Sequence, residues 1–265
     1  MSNNNPGFIQ YPILKRFESI QHFTSTRQGG VSTGNYSSFN LGLYTGDKPE
    51  NISQNFEILF TITGIEENSI HLPYQTHTNK VLRIDENFLK QDTETKRIML
   101  HEIDALITNL PGQCIGISTA DCVPVLLYDP VREAIGSVHA GWRGTRSGIV
   151  TETMSQMKSA FQTDPKDLIA VIGPSISPDV YEVGADLEEE FQKAGFDTLE
   201  IFSRTDGRIL LDLWKANKKL LTDGGVKEEN IEISGICTYS QPKNFFSARR
   251  LGISSGRMIS GIMLI

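Results

Sequence analysis

Cysteine is scarce in this 265-residue chain: only Cys114, Cys122 and Cys237 are present. An odd count in a chain long enough to build a core without covalent staples excludes a disulfide framework, and the three thiols are read as reduced. Long hydrophobic runs are missing too, since none approaches the roughly 20 residues needed to cross a bilayer. The opening MSNNNPGFIQYPIL lacks the basic-then-apolar order of a secretory signal. A cytoplasmic protein without a membrane partner is expected. Basic charge is in deficit, with 25 Lys and Arg against 32 Asp and Glu and a formal net charge of -7. No dense basic run could track a phosphate backbone, which argues against a dedicated nucleic-acid binder. Linker-like Pro/Ser-rich stretches and repeats of about 20 to 50 residues are also lacking, so one domain over residues 1–265 is expected and a solenoid or propeller is set aside.

What remains is a chain of ordinary globular composition, 38% hydrophobic and 22% charged. Phe23 to Arg27 reads as a short strand entering a Gly/Ser/Asn-rich loop that closes at Asn40-Leu41-Gly42, and Ile52, Phe56, Leu59 and Phe60 recur at helical spacing. Asp104–Thr108, Cys114–Tyr128 and Ala134–His139 read as adjacent strands of one sheet. A Gly-rich turn follows at 141–144. Val150, Met154, Met157 and Phe161 then mark a helix starting near Thr145. Leu168–Ile172, Ile231–Thr238 and Met258–Ile265 read as further strands, and Ala185–Lys193 and Leu211–Leu221 as helices. Strands and helices do not alternate strictly, so the fold class is α+β, a layered α/β sandwich with a mixed β-sheet.

Several polar residues interrupt this pattern where chemistry can be placed. His139 ends the apolar strand Ile135-Gly136-Ser137-Val138-His139, His77 lies in the polar stretch Tyr74-Gln75-Thr76-His77-Thr78, and Cys122 breaks the apolar run from Ile115 to Leu127. A thiolate and two neutral imidazoles hold Zn²⁺ tetrahedrally and leave one position open. Separations of 45 and 17 residues fit a site assembled from different strands, not a zinc finger. The bland alternative, a core thiol and a buried, capped histidine, stays open on this pattern alone. Gly141-Trp142-Arg143-Gly144-Thr145 can cradle an anion on backbone N–H groups with Arg143 as a planar fork, but it has neither P-loop nor dinucleotide spacing. Phe245 to Arg250 pairs aromatics with arginines, which suits stacking on a base or pairing with an anion.

In order along the chain, TSTRQGGVSTGNYSSFNLG, QTHTNKV, DALITN, TADCVPVLLYD, AIGSVHAGWRGT, IGPSISPDVYEVG, FFSARR and GRM resemble the YfiH-like family, once described as polyphenol oxidases or laccase-domain proteins and now as purine nucleoside phosphorylases. The resemblance implies a CNF/YfiH-like layered fold and a metal, Zn²⁺ with Cu²⁺ as the alternative, on His77, Cys122 and His139. It implies phosphorolysis of adenosine, inosine and methylthioadenosine, and deamination of adenosine, with purine nucleoside and phosphate as the molecules bound. Arg143 is then the first candidate to hold phosphate, with Asn40, Gln75 and Arg249 lining the pocket and Asp121 transferring a proton or supporting the metal ligands. Where the family motif FFSYRRD carries Tyr and Asp, this chain has Ala248 and Leu251, a change expected to leave the arginine pair less constrained. Other readings are a cysteine hydrolase with Cys122 as nucleophile and His139 as base, a zinc or cysteine hydrolase editing peptidoglycan precursors, and a copper oxidase. Five histidines with no His-x-His pair cannot supply a trinuclear copper cluster as well.

Overall fold

Uninterrupted runs of Val, Ile and Leu belong to strands covered on both faces, and the middle of the chain folds in that way. A computed structural model describes residues 7–265; the six residues before them, the start of the segment read as lacking a secretory signal, lie outside the described residues. A six-stranded mixed sheet runs in the order β13 (Ile231–Ile233), β9 (Ile169–Ile172), β7 (Val123–Asp129), β8 (Ala134–Ala140), β5 (Ala105–Thr108) and β4 (Val81–Arg83). Every residue of β7 and β8 is buried. A five-stranded sheet, ordered β1 (Phe8–Ile9), β2 (Ile20–Ser25), β14 (Met258–Leu264), β6 (Cys114–Thr119) and β3 (Ile70–His71), packs on one face of the first. Leu106, Leu126, Tyr128 and Ile135 meet Ile115, Ile262 and Leu264 in that layer.

Helices close both outer faces. Val150, Met154, Met157 and Phe161 of α5 (Ile149–Phe161), with α8 (Leu213–Asp223), cover the far side of the six-stranded sheet. Burying each such side chain contributes about 1.5–3 kcal/mol. Ile52, Phe56 and Leu59 of α1 (Pro49–Thr63) cover the far side of the five-stranded sheet. The result is a helix-sheet-sheet-helix sandwich, an α+β layered fold as read from the sequence. Short helices α2 (Glu86–Leu89) and α3 (Thr93–Met99) sit before β5, α4 (Trp142–Arg146) follows β8, and α9 (Ala248–Leu251) precedes β14. A small sheet of β10 (Glu182–Val183), β12 (Arg208–Leu211) and β11 (Phe202–Thr205) flanks α6 (Ala185–Lys193) and α7 (Thr198–Ile201). No helix among the described residues is long and apolar enough to cross a membrane.

The expected single strand Cys114–Tyr128 is two strands in different sheets. Asp121 takes a left-handed backbone, φ 87°, which ends the extended run, and the chain crosses from β6 to β7 there. Cys114–Thr119 is therefore not a sheet neighbour of Ala134–His139. Likewise the expected strand Ile231–Thr238 stops at Ile233 because Gly235 turns at φ 64°. The helix expected from Thr145 is split by Gly148 at φ 75°, and Leu211 ends a strand while Asp212 caps α8 by accepting the Lys215 N–H.

One buried group makes the fold acid-sensitive. His22, 3% exposed, accepts the Tyr11 N–H on Nε2 at 2.8 Å and stacks on the Tyr11 ring. Burial and the charge of Lys15 push its pKa down from 6.5 to about 4. The unfolded chain takes up this proton first as pH falls, so the stabilisation is complete above the unfolded value and is lost between about 6.5 and 4. Going from pH 7 to 5 is expected to cost about 1–2 kcal/mol through this residue. Urea unfolding against pH checks it: His22→Gln should flatten that slope, and identical slopes would remove His22 as the cause.

Candidate active site and metal centre

Strand register brings the polar residues together. Val123 pairs with Ala140 and Pro124 with His139, which sets Cys122 at the end of β7 across from Gly141; Ala105 pairs with Val138, which sets Asp104 beside His139. Asp104 is fully buried and its carboxylate accepts five hydrogen bonds: from the N–H groups of Thr76 (3.3 Å), His77 (3.0 Å) and Thr78 (2.7 Å), from the Thr78 hydroxyl (2.9 Å) and from His139 Nδ1 (2.7 Å). Three successive amides converge because His77 adopts φ 65°, forming an anion-binding concavity in the backbone. Burial raises the Asp104 pKa, but the His139 and Thr78 bonds more than offset it and hold the group ionised.

With Nδ1 bound to Asp104, His139 turns Nε2 toward the cluster. One donor atom from each of His77, Cys122 and His139 lies within 4.8 Å of the others, and Cys122 Sγ is 3.8 Å from His77 Nε2. His139 is buried, Cys122 half-buried and His77 exposed, so one side of the cluster is open. A Cβ at position 141 would come within 2.9 Å of Cys122 Sγ and 3.0 Å of His77 Cδ2, so glycine there leaves room for the three side chains. Burial disfavours the Cys122 thiolate, yet the charge and hydrogen bonds of His139, with His77 assisting, bring its pKa below the ordinary thiol range. Burial likewise opposes the His139 imidazolium, and the Cys122 thiolate and Asp104 raise it. A thiolate, two imidazoles and a carboxylate behind one of them form a donor set that suits an open zinc or copper site. The other histidines are placed elsewhere: His22 in the core, His71 bonded to Gln113, His101 stacked on Tyr74.

The remaining expected site residues fare differently. Arg143 is exposed with its guanidinium 4.1 Å from the Trp142 ring centre, and its side chain makes no hydrogen bond to a described residue. Arg249 lies 5.1 Å from the Tyr181 ring and donates to the Glu182 carbonyl at 2.9 Å. Asn40 and Gln75 are used internally: Asn40 ties Thr45, Asp47, Gly42 and Arg257 together, and Gln75 clamps Ser118 through both amide atoms. They shape the loops around the site: both amide atoms of Asn40 are engaged twice, while Gln75 Nε2 makes one bond and keeps its second N–H. Asp121 is placed beside a different segment. Its carboxylate accepts the Thr238 and Ser247 hydroxyls and the Arg249 N–H and so fixes the 247–249 turn, whereas the carboxylate bonded to His139 is that of Asp104. With Leu251 in place, Arg249 donates to the Glu182 carbonyl and Arg250 makes two bonds to the Tyr239 carbonyl.

Asp104 and Tyr181 are the residues that sequence reasoning missed. Asp104 left a signal, a charged residue opening the fully buried strand Ala105–Thr108. Tyr181 is buried beneath Arg249, close enough for the charges of Cys122, Arg249, Asp121 and Arg143 to act on its hydroxyl; burial first, then Cys122, pushes its pKa up and keeps it a donor.

The sequence family described as multi-copper polyphenol oxidoreductase laccase matches residues 21–265. A purine nucleoside phosphorylase of Bacteroides thetaiotaomicron is 46% identical over 258 residues, covering 97% of this chain and 96% of that protein. Adenosine deaminase RL5, from an unknown prokaryotic organism, is 37% identical over 94% of this chain and 96% of its own length. The crystal structure of Bacillus licheniformis YfiH superposes with a TM-score of 0.88 at 28% identity, covering 100% of this chain and 98% of that one.

Since Asp104 both orients His139 and folds the loop that carries His77, Asp104→Asn is expected to weaken metal binding about 10- to 100-fold. Competition with a chromophoric chelator measures it, and unchanged affinity in a folded variant would deny Asp104 that part. Gly141→Ala should lose metal while its Tm stays near wild type, which thermal unfolding and elemental analysis check together.

Proposed function

This chain belongs to the YfiH-like, laccase-domain family, and on that premise we propose that it is a zinc-dependent purine nucleoside phosphorylase acting on adenosine, inosine and methylthioadenosine, with adenosine deaminase activity. The observation that supports this most is an Asp104-backed His77-Cys122-His139 cluster with an open side, next to the first turn of α4, which carries Arg143. His77, Cys122 and His139 would hold the metal, which when bound supplies Lewis acidity at the open side. Asp104 keeps His139 in the tautomer that points Nε2 at the cluster. Arg143, with no internal partner, offers its guanidinium to phosphate. In phosphorolysis a phosphate oxygen forms the bond to C1′ as the C1′–N9 bond breaks, and the purine leaves with a proton. Tyr181, protonated and turned toward the same region, would donate a hydrogen bond to the departing base or the sugar.

A second reading has one observation in its favour. Cys122, His139 and Asp104 also stand in the order of a nucleophile, a base and an orienting carboxylate, the arrangement of a cysteine hydrolase, which would suit an editing role on peptidoglycan precursors. Copper polyphenol oxidation finds less support, because among the described residues this is the one group of three or more His, Cys or carboxylate donors arranged to hold a metal.

Elemental analysis and product identification with adenosine, plus and minus phosphate, separate these readings. About one zinc per wild-type chain, none in Cys122→Ala, and ribose 1-phosphate formed only with phosphate are expected. Activity that survives complete chelation would favour the thiol nucleophile. Arg143→Ala is expected to slow phosphorolysis at least about tenfold more than deamination, since only the former positions an anion. Equal losses would take Arg143 out of that role.

A further inference from the structure

A cavity of about 790 Å³ contains none of the three cluster residues. It lies between α1 and α3, over β3 and Phe88, and its walls are mixed, with Ile52, Phe56, Phe60, Ile70, Leu72 and Leu100 among the apolar ones. Its volume is within the range of small-molecule sites.

Two polar atoms at this cavity, His71 Nδ1 and Lys96 Nζ, have no hydrogen-bond or ion-pair partner among the described residues. His71 is 6% exposed; its Nε2 bonds to Gln113 at 2.8 Å, and Nδ1 has no partner among the described residues. With Gln113 Oε1 accepting the Nε2 proton, Nδ1 is an acceptor facing the cavity. Lys96 is half-buried with its ammonium 5.8 Å from the Phe88 ring centre, and no carboxylate lies within ion-pair distance. Its neighbour Arg97 differs, since two of its nitrogens bond to Glu94. Of the acidic residues bordering the cavity, Asp47 is held by Asn40, Asn51 and the Lys48 N–H, and Glu57 and Glu67 are solvent-exposed.

From this we infer that the cavity is a second ligand site, separate from the metal cluster, for a flat aromatic monoanion that also carries a hydrogen-bond donor. The aromatic walls, Phe56, Phe60 and Phe88, take the ring system; Lys96 meets the single negative charge; His71 Nδ1 accepts the donor. Exposed Glu57 and Glu67 repel a polyanion such as a nucleoside triphosphate, which selects a single charge. The site is tied to the cluster by chain connection. Leu72 lies five residues before His77 and Leu100 four before Asp104, and the two segments are joined by the Tyr74 N–H to Leu100 carbonyl bond and the Tyr74–His101 stack.

The test uses 8-anilinonaphthalene-1-sulfonate, an aromatic monoanion with an N–H, on the full chain. Saturable binding of about one per chain is expected, retained in Cys122→Ala, weakened at least about fivefold in Lys96→Glu, and abolished in Ser53→Trp, where an exposed α1 residue lining the cavity is enlarged to fill it. Neutral N-phenyl-1-naphthylamine should bind at least about fivefold more weakly. Non-saturable binding, binding untouched by Ser53→Trp in a variant with wild-type circular dichroism, or equal affinity for the neutral probe would overturn the inference. Loss in Cys122→Ala alone would place the probe at the metal cluster and overturn it too, whatever the enzymatic activity proves to be.

Discussion

Everything at the site hangs on one buried carboxylate. An ionised Asp104 without partners would be too costly inside a sandwich of this kind, and what makes it tolerable is the convergence of three backbone amides, a hydroxyl and an imidazole on two oxygens. The same bonds that satisfy the charge fold the 76–78 turn, lift His77 into a left-handed conformation and set the ring of His139. Stability and function are therefore served by a single group, and any ligand of the cluster inherits geometry fixed before it arrives.

The layers explain why the cluster is where it is. Cys122 stands at the point where the chain leaves the five-stranded sheet for the six-stranded one, and His139 at the end of the neighbouring strand. A slip of one residue in β7 against β8 would turn Cys122 away from its partners and reverse every buried side chain of β7. Because both faces of these strands are covered, the core itself enforces the register on which the donor set relies.

Much of this was legible in the sequence. Helical spacing at Val150, Met154, Met157 and Phe161, the apolar strands, and the polar intrusions at Cys122 and His139 all correspond to real features. What stayed hidden were relations with no local signature. Nothing in Thr119 to Cys122 says that the flanking strands part into different sheets, because that depends on a left-handed Asp121 held by residues more than a hundred positions away. The resemblance implies Asn40 and Gln75 as pocket residues; their internal partners, Arg257 and Ser118, come from remote segments and have no local signature. Asp104 was passed over since its role is defined across strands, not along the chain.

The five-stranded sheet has its centre in β14, residues 258–264, which separates β2 from β6. During synthesis, therefore, Ile20–Ser25 and Cys114–Thr119 wait with hydrogen-bonding edges bare until the chain has been made as far as residue 264. The strand that covers both edges follows them in the chain, so edge-to-edge association is a hazard until it has been made.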